Sequence, residues 1–219
     1  MANREKAVPI DQEILERLNR GILLRTGAYR TDDHIVLRSG RHTSEYVAKA
    51  LVTTEPTFTE GLGDIIAAHF SRYQVDLVLT TGYGAGLLGH CVARAHLSRP
   101  RFIFATKGKT AGGRTEVILQ PEYRKFFAEG GRVLIVEDIV TTGETVKQLI
   151  KLVEGMGGQV VGIGAIWRRS TRVKFKYPLF TVVTRDFPTY APSECPLCRQ
   201  GIPINPDFGG GGSEGESEE

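Results

Sequence analysis

The stretch Val133-Leu-Ile-Val-Glu-Asp-Ile-Val-Thr-Thr-Gly-Glu-Thr-Val146 opens as a short apolar run, meets two acids, and passes through hydroxyl residues and one glycine into an amphipathic segment. An unbroken run such as Val133–Val136 predicts a strand covered on both faces. Val146, Leu149, Ile150 and Val153 share one side of a helix read over 144–155. Backbone N–H groups at the turn, the positive end of the helix dipole, and the hydroxyls of Thr141, Thr142 and Thr145 together make a cradle for a phosphate dianion, with Gly143 and Glu144 inside it. Glu137 and Asp138, at the carboxyl end of the strand, are placed to accept hydrogen bonds from vicinal hydroxyls. A phosphate site and a diol site one sugar apart predict a ribose 5-phosphate pocket. The plainer reading, a capped helix beside solvated acids, gives no reason to set negative charges next to a phosphate-sized nest.

Outward from this segment the same rhythm repeats. Leu62, Ile65, Ile66 and Phe70 have helical spacing and precede the apolar run Val75-Asp-Leu-Val-Leu79; a helix over 86–97 leads to a strand over 102–105; a strand Val160–Ile166 follows the helix at 144–155. Strands alternating with helices at this spacing predict right-handed crossovers. The expected fold class is α/β, an open, mostly parallel sheet with helices on both faces and ligands at the carboxyl ends of its strands. Ahead of it, Asp11 can cap an N-terminal helix carrying Ile14, Leu15, Leu18, Ile22 and Leu23 that ends near Gly27. His34–Leu37, the polar turn 38–44 and Tyr46–Ala48 then read as a hairpin or hood.

At 219 residues and 41% apolar, the chain has the size and composition of one globular domain. One domain is expected over 1–208, with a hood at about 11–50, a core at about 57–187 and a C-terminal segment over 188–208. Residues 209–219 are glycine, serine and glutamate, expected to form a flexible acidic tail. No apolar run reaches the length of a membrane span and no signal core follows the N-terminal charges, so a cytoplasmic protein without a membrane partner is expected. The net charge of +3 suits an anionic small molecule as well as a polynucleotide. With no basic recognition helix in view, no nucleic acid is expected.

The segment 107–131 lacks periodicity and carries Gly108, Gly112 and Gly113 among Lys107, Lys109, Arg114, Arg124 and Lys125, and is read as a mobile basic lid. Cys195-Pro-Leu-Cys198 has zinc-knuckle spacing, but a four-ligand site needs two more donors and no second such pair follows it. An intersubunit zinc, a redox pair and a purely structural segment remain open. His42 either touches a substrate or decorates its turn, and Trp167 is expected to pack rather than to stack on a base.

Glu137-Asp-Ile-Val-Thr-Thr-Gly-Glu-Thr145 resembles the phosphoribosyl-pyrophosphate (PRPP) signature of the type I phosphoribosyltransferases. Thr26-Gly-Ala28 with His34–Tyr46, and Tyr190–Pro203, are similar to the hood and the C-terminal segment of the orotate-specific members in one prokaryotic branch. The likeness runs over roughly residues 20 to 206. It implies transfer of the 5-phosphoribosyl group from PRPP to orotate, giving orotidine 5-phosphate and pyrophosphate, with Mg2+ carried by PRPP rather than by protein ligands, in a homodimer. It implies that Glu137 and Asp138 hold the ribose hydroxyls, that Thr141–Thr145 bind the 5-phosphate, and that Thr81, Gly82, Tyr83, Gly84 and Ala85 form the pyrophosphate loop. It further implies that Arg38, Ser39, Gly40 and Arg169 meet the acceptor, and that Lys107 and Lys109 join Asp138 as catalytic residues. Three departures stand out: the lid Thr106–Gly113 lacks the family's histidine, Gly84 stands where a lysine is common, and Arg168 replaces an aspartate. They keep two alternatives open, a purine or other acceptor and a non-catalytic PRPP-binding regulator.

Overall fold

A computed structural model of the chain describes residue 21 and residues 25–37, 39–109 and 115–209. The expected N-terminal helix ahead of residue 25, Arg38, Gly112, Gly113, Arg114 and the tail beyond Gly209 lie outside the described residues. Four two-residue strands open the described chain: β1 (Tyr29–Arg30), β2 (Ile35–Val36), β3 (His42–Thr43) and β4 (Tyr46–Val47). β1 pairs with β4 and β2 with β3, both antiparallel, which makes the expected hood.

Two helices, α1 (Lys49–Thr53) and α2 (Pro56–His69), lead into the sheet strand β5 (Leu77–Thr81). Then come α3 (Tyr83–Ala95), β6 (Arg101–Lys109), β7 (Thr115–Ile118), β8 (Arg132–Val140), α4 (Glu144–Gly155), β9 (Gln159–Arg168), β10 (Leu179–Thr184) and the single turn α5 (Pro196–Arg199). The six-stranded sheet runs β10-β9-β8-β5-β6-β7, parallel except for β7. Its interior strands are apolar on both faces because helices cover both. Leu134 and Val136 of β8 pack with Leu62, Ile66 and Phe70 of α2 and Leu88 of α3. Val133 and Ile135 pack on the other side with Val146, Leu149 and Val153 of α4. Trp167 is buried in the first of these clusters, a packing residue as expected.

Three segments differ from the sequence expectation. β8 continues past Val136 to Val140 because β9 pairs along it as far as Arg168, so Glu137 and Asp138 lie inside the strand rather than beyond its end. α3 begins at Tyr83, directly after Gly82, so Tyr83, Gly84 and Ala85 form its first turn and not a loop. The basic lid is partly a β-hairpin: Thr106–Lys109 pair with Thr115–Ile118, and two 3-10 turns over 121–126 and 128–130 return the chain. Val117, Leu119 and Phe127 pin that return against the α4 face, and burying a ring such as Phe127 contributes about 2–3 kcal/mol. That packing is made across the chain, so no local period announced it.

Candidate active site

The C-terminal end of β8 brings two carboxyl groups into the protein. Glu137 and Asp138 are 7% and 3% exposed. The ammonium of Lys49, at the start of α1, lies 2.8 and 3.0 Å from the two carboxylate oxygens of Asp138. The Asp138 backbone N–H donates to Glu137 Oε1 at 3.1 Å. Burial, followed by the neighbouring charge of Asp138, pushes the Glu137 carboxyl up to about 8. Near neutral pH Glu137 therefore keeps its proton and offers a donor to a neighbouring diol.

Thr141, Thr142 and Gly143 then turn the chain into α4. Gly143 sits at φ +76°, and a Cβ there would come within 2.7 Å of Phe175 Cζ and 2.8 Å of Val173 Cγ1, so the tight turn depends on glycine. The N-cap Gly143 offers no side chain to α4, and the Glu144 N–H makes only a long bond, 3.4 Å, to the Thr142 hydroxyl, so the start of the helix can receive an anion. A cavity of about 140 Å3, lined by Glu137 and residues 139–146, opens over this turn. It joins Glu137 to the turn in which the sequence places the phosphate cradle.

A second anion-accepting helix start faces the same acids. Gly82, at φ +86°, leads from β5 into α3, whose N-terminus also has no side-chain cap. The hydroxyls of Thr80 and Thr81, at the end of β5, are buried with no hydrogen-bond partner among the described residues. A Cβ on Gly84 would lie 2.7 Å from Asp138 Oδ2. The position that often carries a lysine thus has no room for a side chain here, and the cation beside Asp138 comes instead from Lys49. That residue was missed from sequence; its pairing spans 89 positions and no local pattern marks it.

On the other side of Thr141 a larger cavity, about 450 Å3, is lined by Leu37, Arg41, Arg169, Arg172, Asp186 and Phe187, among others. Arg169 follows β9, its guanidinium stacked 4.8 Å from the centre of the Phe187 ring. Its Nη2 is buried and has no hydrogen-bond partner among the described residues, and burial pulls its pKa down. A guanidinium nitrogen that gives up water without gaining a hydrogen bond is a site for an anionic or carbonyl-rich group. Arg41 is already committed, donating to the Thr189 hydroxyl at 3.1 Å and the Thr189 carbonyl at 2.7 Å. Arg168 braces the adjoining loop by donating to the carbonyls of Ser170, Thr171 and Val173. Asp186 closes the same loop by accepting from the Thr171 N–H and hydroxyl. Ser39 and Gly40 are exposed at the tip of the β2–β3 hairpin.

The expected site residues are therefore brought together unevenly. Glu137 and Thr141–Thr145 line one cavity; Asp138, whose N–H donates to Glu137, lies beside it, and Gly84 of Thr81–Ala85 meets Asp138. Lys107 and Lys109 stand exposed on β6, and among the described residues no ion pair or hydrogen bond links either to the acids. His42 is buried, turned toward His34 and Cys198 and not into this cavity.

The phosphoribosyl transferase domain family matches residues 53–190. An orotate phosphoribosyltransferase of Caldicellulosiruptor bescii is 37% identical over 174 residues, covering 79% of this chain and 87% of that protein. The Thermus thermophilus enzyme of the same name is 36% identical over 82% of this chain and 94% of its own length. Among solved structures, orotate phosphoribosyltransferase from Aeropyrum pernix superposes with a TM-score of 0.58 at 19% identity over 75% of this chain and 92% of that one. Adenine phosphoribosyltransferase from Rhodothermus marinus does so with the same score and identity over 80% of this chain and 99% of that one. The fold is thus common to enzymes of different acceptors, whereas the closer sequence relatives bear one name. By the domain match and by relatives of this identity and coverage, the chain belongs to the phosphoribosyltransferase family, among the orotate phosphoribosyltransferases.

Proposed function

We propose that the chain is a pentosyltransferase that moves the 5-phosphoribosyl group of PRPP onto orotate, releasing pyrophosphate and forming orotidine 5-phosphate, a step of pyrimidine nucleotide synthesis. The observation that carries this reading is the juxtaposition, on either side of Thr141, of an acid pair beside a phosphate-sized cavity and, in a second cavity, the half-buried Arg169, whose Nη2 has no hydrogen-bond partner among the described residues. The 5-phosphate would lie on the Thr141–Thr145 turn and the ribose hydroxyls on Glu137 and Asp138. The diphosphate would lie over the N-terminus of α3, where the Thr81 hydroxyl and the first-turn N–H groups lack partners. Arg169, with Arg38 and the Ser39–Gly40 tip, would hold the acceptor's carboxylate and carbonyls, directing a ring nitrogen toward carbon 1. A neutral purine would leave the Arg169 charge buried and unmatched, which favours orotate over the alternative acceptors.

Displacement at carbon 1 builds positive charge on the sugar and negative charge on the leaving group. The protein's part is position and electrostatics. Lys107 and Lys109, on their hairpin arm, would close over the leaving diphosphate and exclude water. The residues present fit a magnesium ion that arrives with the substrate. Among the described residues no third acid or imidazole joins Glu137 and Asp138 to cage one, and Asp138 already has Lys49 as its counter-charge. When bound, magnesium would neutralise the diphosphate and touch the ribose hydroxyls that the acids hold. A homodimer in the cytoplasm, with reduced thiols at Cys91, Cys195 and Cys198, completes the reading.

Incubation with PRPP, magnesium and orotate, followed by the loss of orotate absorbance, tests this directly. Turnover with orotate and none with adenine, guanine or hypoxanthine is expected. Turnover with a purine, or tight PRPP binding with no acceptor used, would replace this reading with one of its alternatives.

A further inference from the structure

His34, just before β2, and His42, on β3, lie at the base of the hood hairpin, more than 150 positions ahead of Cys195 and Cys198. The fold brings all four together. One ligating atom from each lies within 4.8 Å of every other. His34 Nε2 is 3.6 Å from both sulfurs and 2.8 Å from His42 Nδ1, and Cys198 Sγ is 3.3 Å from His42 Nδ1. Tetrahedral zinc, with bonds of about 2.3 Å to sulfur and 2.0–2.1 Å to nitrogen, would hold neighbouring N and S ligands about 3.5 Å apart. The three N–S separations lie at that spacing before any ion is introduced.

The surroundings have the character of a metal site as well. His34 Nδ1 donates to the Ile202 carbonyl at 2.6 Å. A carbonyl can only accept, so Nδ1 carries the proton and Nε2 presents its lone pair to the cluster. A backbone carbonyl fixing the outer nitrogen of a histidine is the usual support of a metal-bound imidazole. His34, His42 and Cys195 are buried, while Cys198 faces solvent and leaves a way in. Two thiolates cancel the charge of a divalent ion, so the occupied site would bury no net charge. Its ligands come from the hood and the C-terminal segment, which also meet through the Asn205 N–H to the His34 carbonyl, the paired bonds between His42 and Tyr190, and the bonds of Arg41 to Thr189 and of Thr43 to Pro188.

We propose that His34 Nε2, His42 Nδ1 and the sulfurs of Cys195 and Cys198 bind one zinc ion in a closed tetrahedral site that staples the C-terminal segment to the hood. Both thiols ionise on binding and release their protons to solvent. With four protein ligands the ion has no open position, so its role is structural. The staple sits at the root of the hairpin whose tip is Ser39–Gly40, and holds that hairpin at a fixed angle to the sheet. The site stands on these four residues alone, whatever reaction the chain catalyses.

The full-length chain, purified with zinc supplied and then dialysed, is expected to carry one zinc per chain by elemental analysis. Stripped protein given cobalt(II) should develop the intense thiolate charge-transfer and visible bands of a tetrahedral sulfur-ligated site. Removing the metal should lower the melting temperature by more than about 5 °C. C198S, an exposed position, should lose the zinc and the cobalt spectrum, whereas C91S keeps both. Should C198S fail to fold, the zinc content and cobalt spectrum of the unaltered chain decide alone. Less than a tenth of a zinc per chain with no cobalt charge-transfer band, or a Cys195–Cys198 disulfide that forms and reduces without metal uptake, would overturn the proposal.

Discussion

The two sides of the candidate pocket are built in opposite ways. The side proposed to hold the phosphoribosyl group is one continuous segment, β8 through the Thr141–Gly143 turn into α4, whose shape is set by local backbone geometry and by a glycine at φ +76°. The acceptor side is gathered from the hood hairpin, the loop after β9 and the segment after β10. Tertiary ties hold it: Arg41 to Thr189, Arg168 to the loop carbonyls, Asp186 to Thr171. A locally folded cradle keeps its shape while the rest varies, which suits the substrate half common to enzymes of different acceptors. A gathered surface changes with any of its segments, which suits the half that distinguishes them.

If the two sides are separable, variants should separate them. The largest expected effect is on the acceptor side: R169A should lower kcat/KM for orotate by about 100-fold, the worth of a charged hydrogen-bonding group of about 2–3 kcal/mol, with PRPP affinity unchanged. Equal losses toward both substrates would erase the distinction. G143A sharpens it from the other side. Forcing a Cβ into a left-handed turn against Phe175 and Val173 costs about 1–2 kcal/mol, so KM for PRPP should rise roughly tenfold while KM for orotate stays put. The exposed lysines belong to neither wall, and K107A/K109A should cut kcat by about tenfold through the closing arm alone; unchanged turnover would remove them from the reaction.

The last effect is one of stability. Folded Glu137 keeps its proton up to about pH 8, whereas the unfolded side chain ionises near 4.5. Folding therefore takes up a proton between those values, and stability falls as pH rises across that window, by at most about 1.4 kcal/mol per unit. E137Q removes this loss. Its melting temperature relative to the unaltered chain should climb by several degrees from pH 5 to pH 8, and a constant difference would mean that the acid is not held neutral.

The same contrast explains how much the sequence disclosed. The helix at 144–155 coincides with α4, and Glu137, the threonines and the glycine of the proposed phosphoribosyl side line one cavity because their spacing along one segment is their geometry. Local reading failed wherever partners come from afar. Lys49 reaches Asp138 across 89 positions; the lid hairpin of Thr106–Lys109 with Thr115–Ile118 is local but has no apolar alternation to mark it, and β10 is an edge strand whose Leu179–Thr184 carries no motif. Cys195 and Cys198 lacked two donors in their own neighbourhood because those donors, His34 and His42, belong to the hood.

The central claim is that the Thr141 turn and the acids before it grip the ribose phosphate of PRPP. Calorimetric titration of magnesium PRPP into the unaltered chain and into E137Q/D138N tests it most directly. Saturable binding to the former, weakened by at least about 100-fold in the latter with the fold intact, is predicted. No heat with the unaltered chain, or equal affinity in the two proteins, would contradict it.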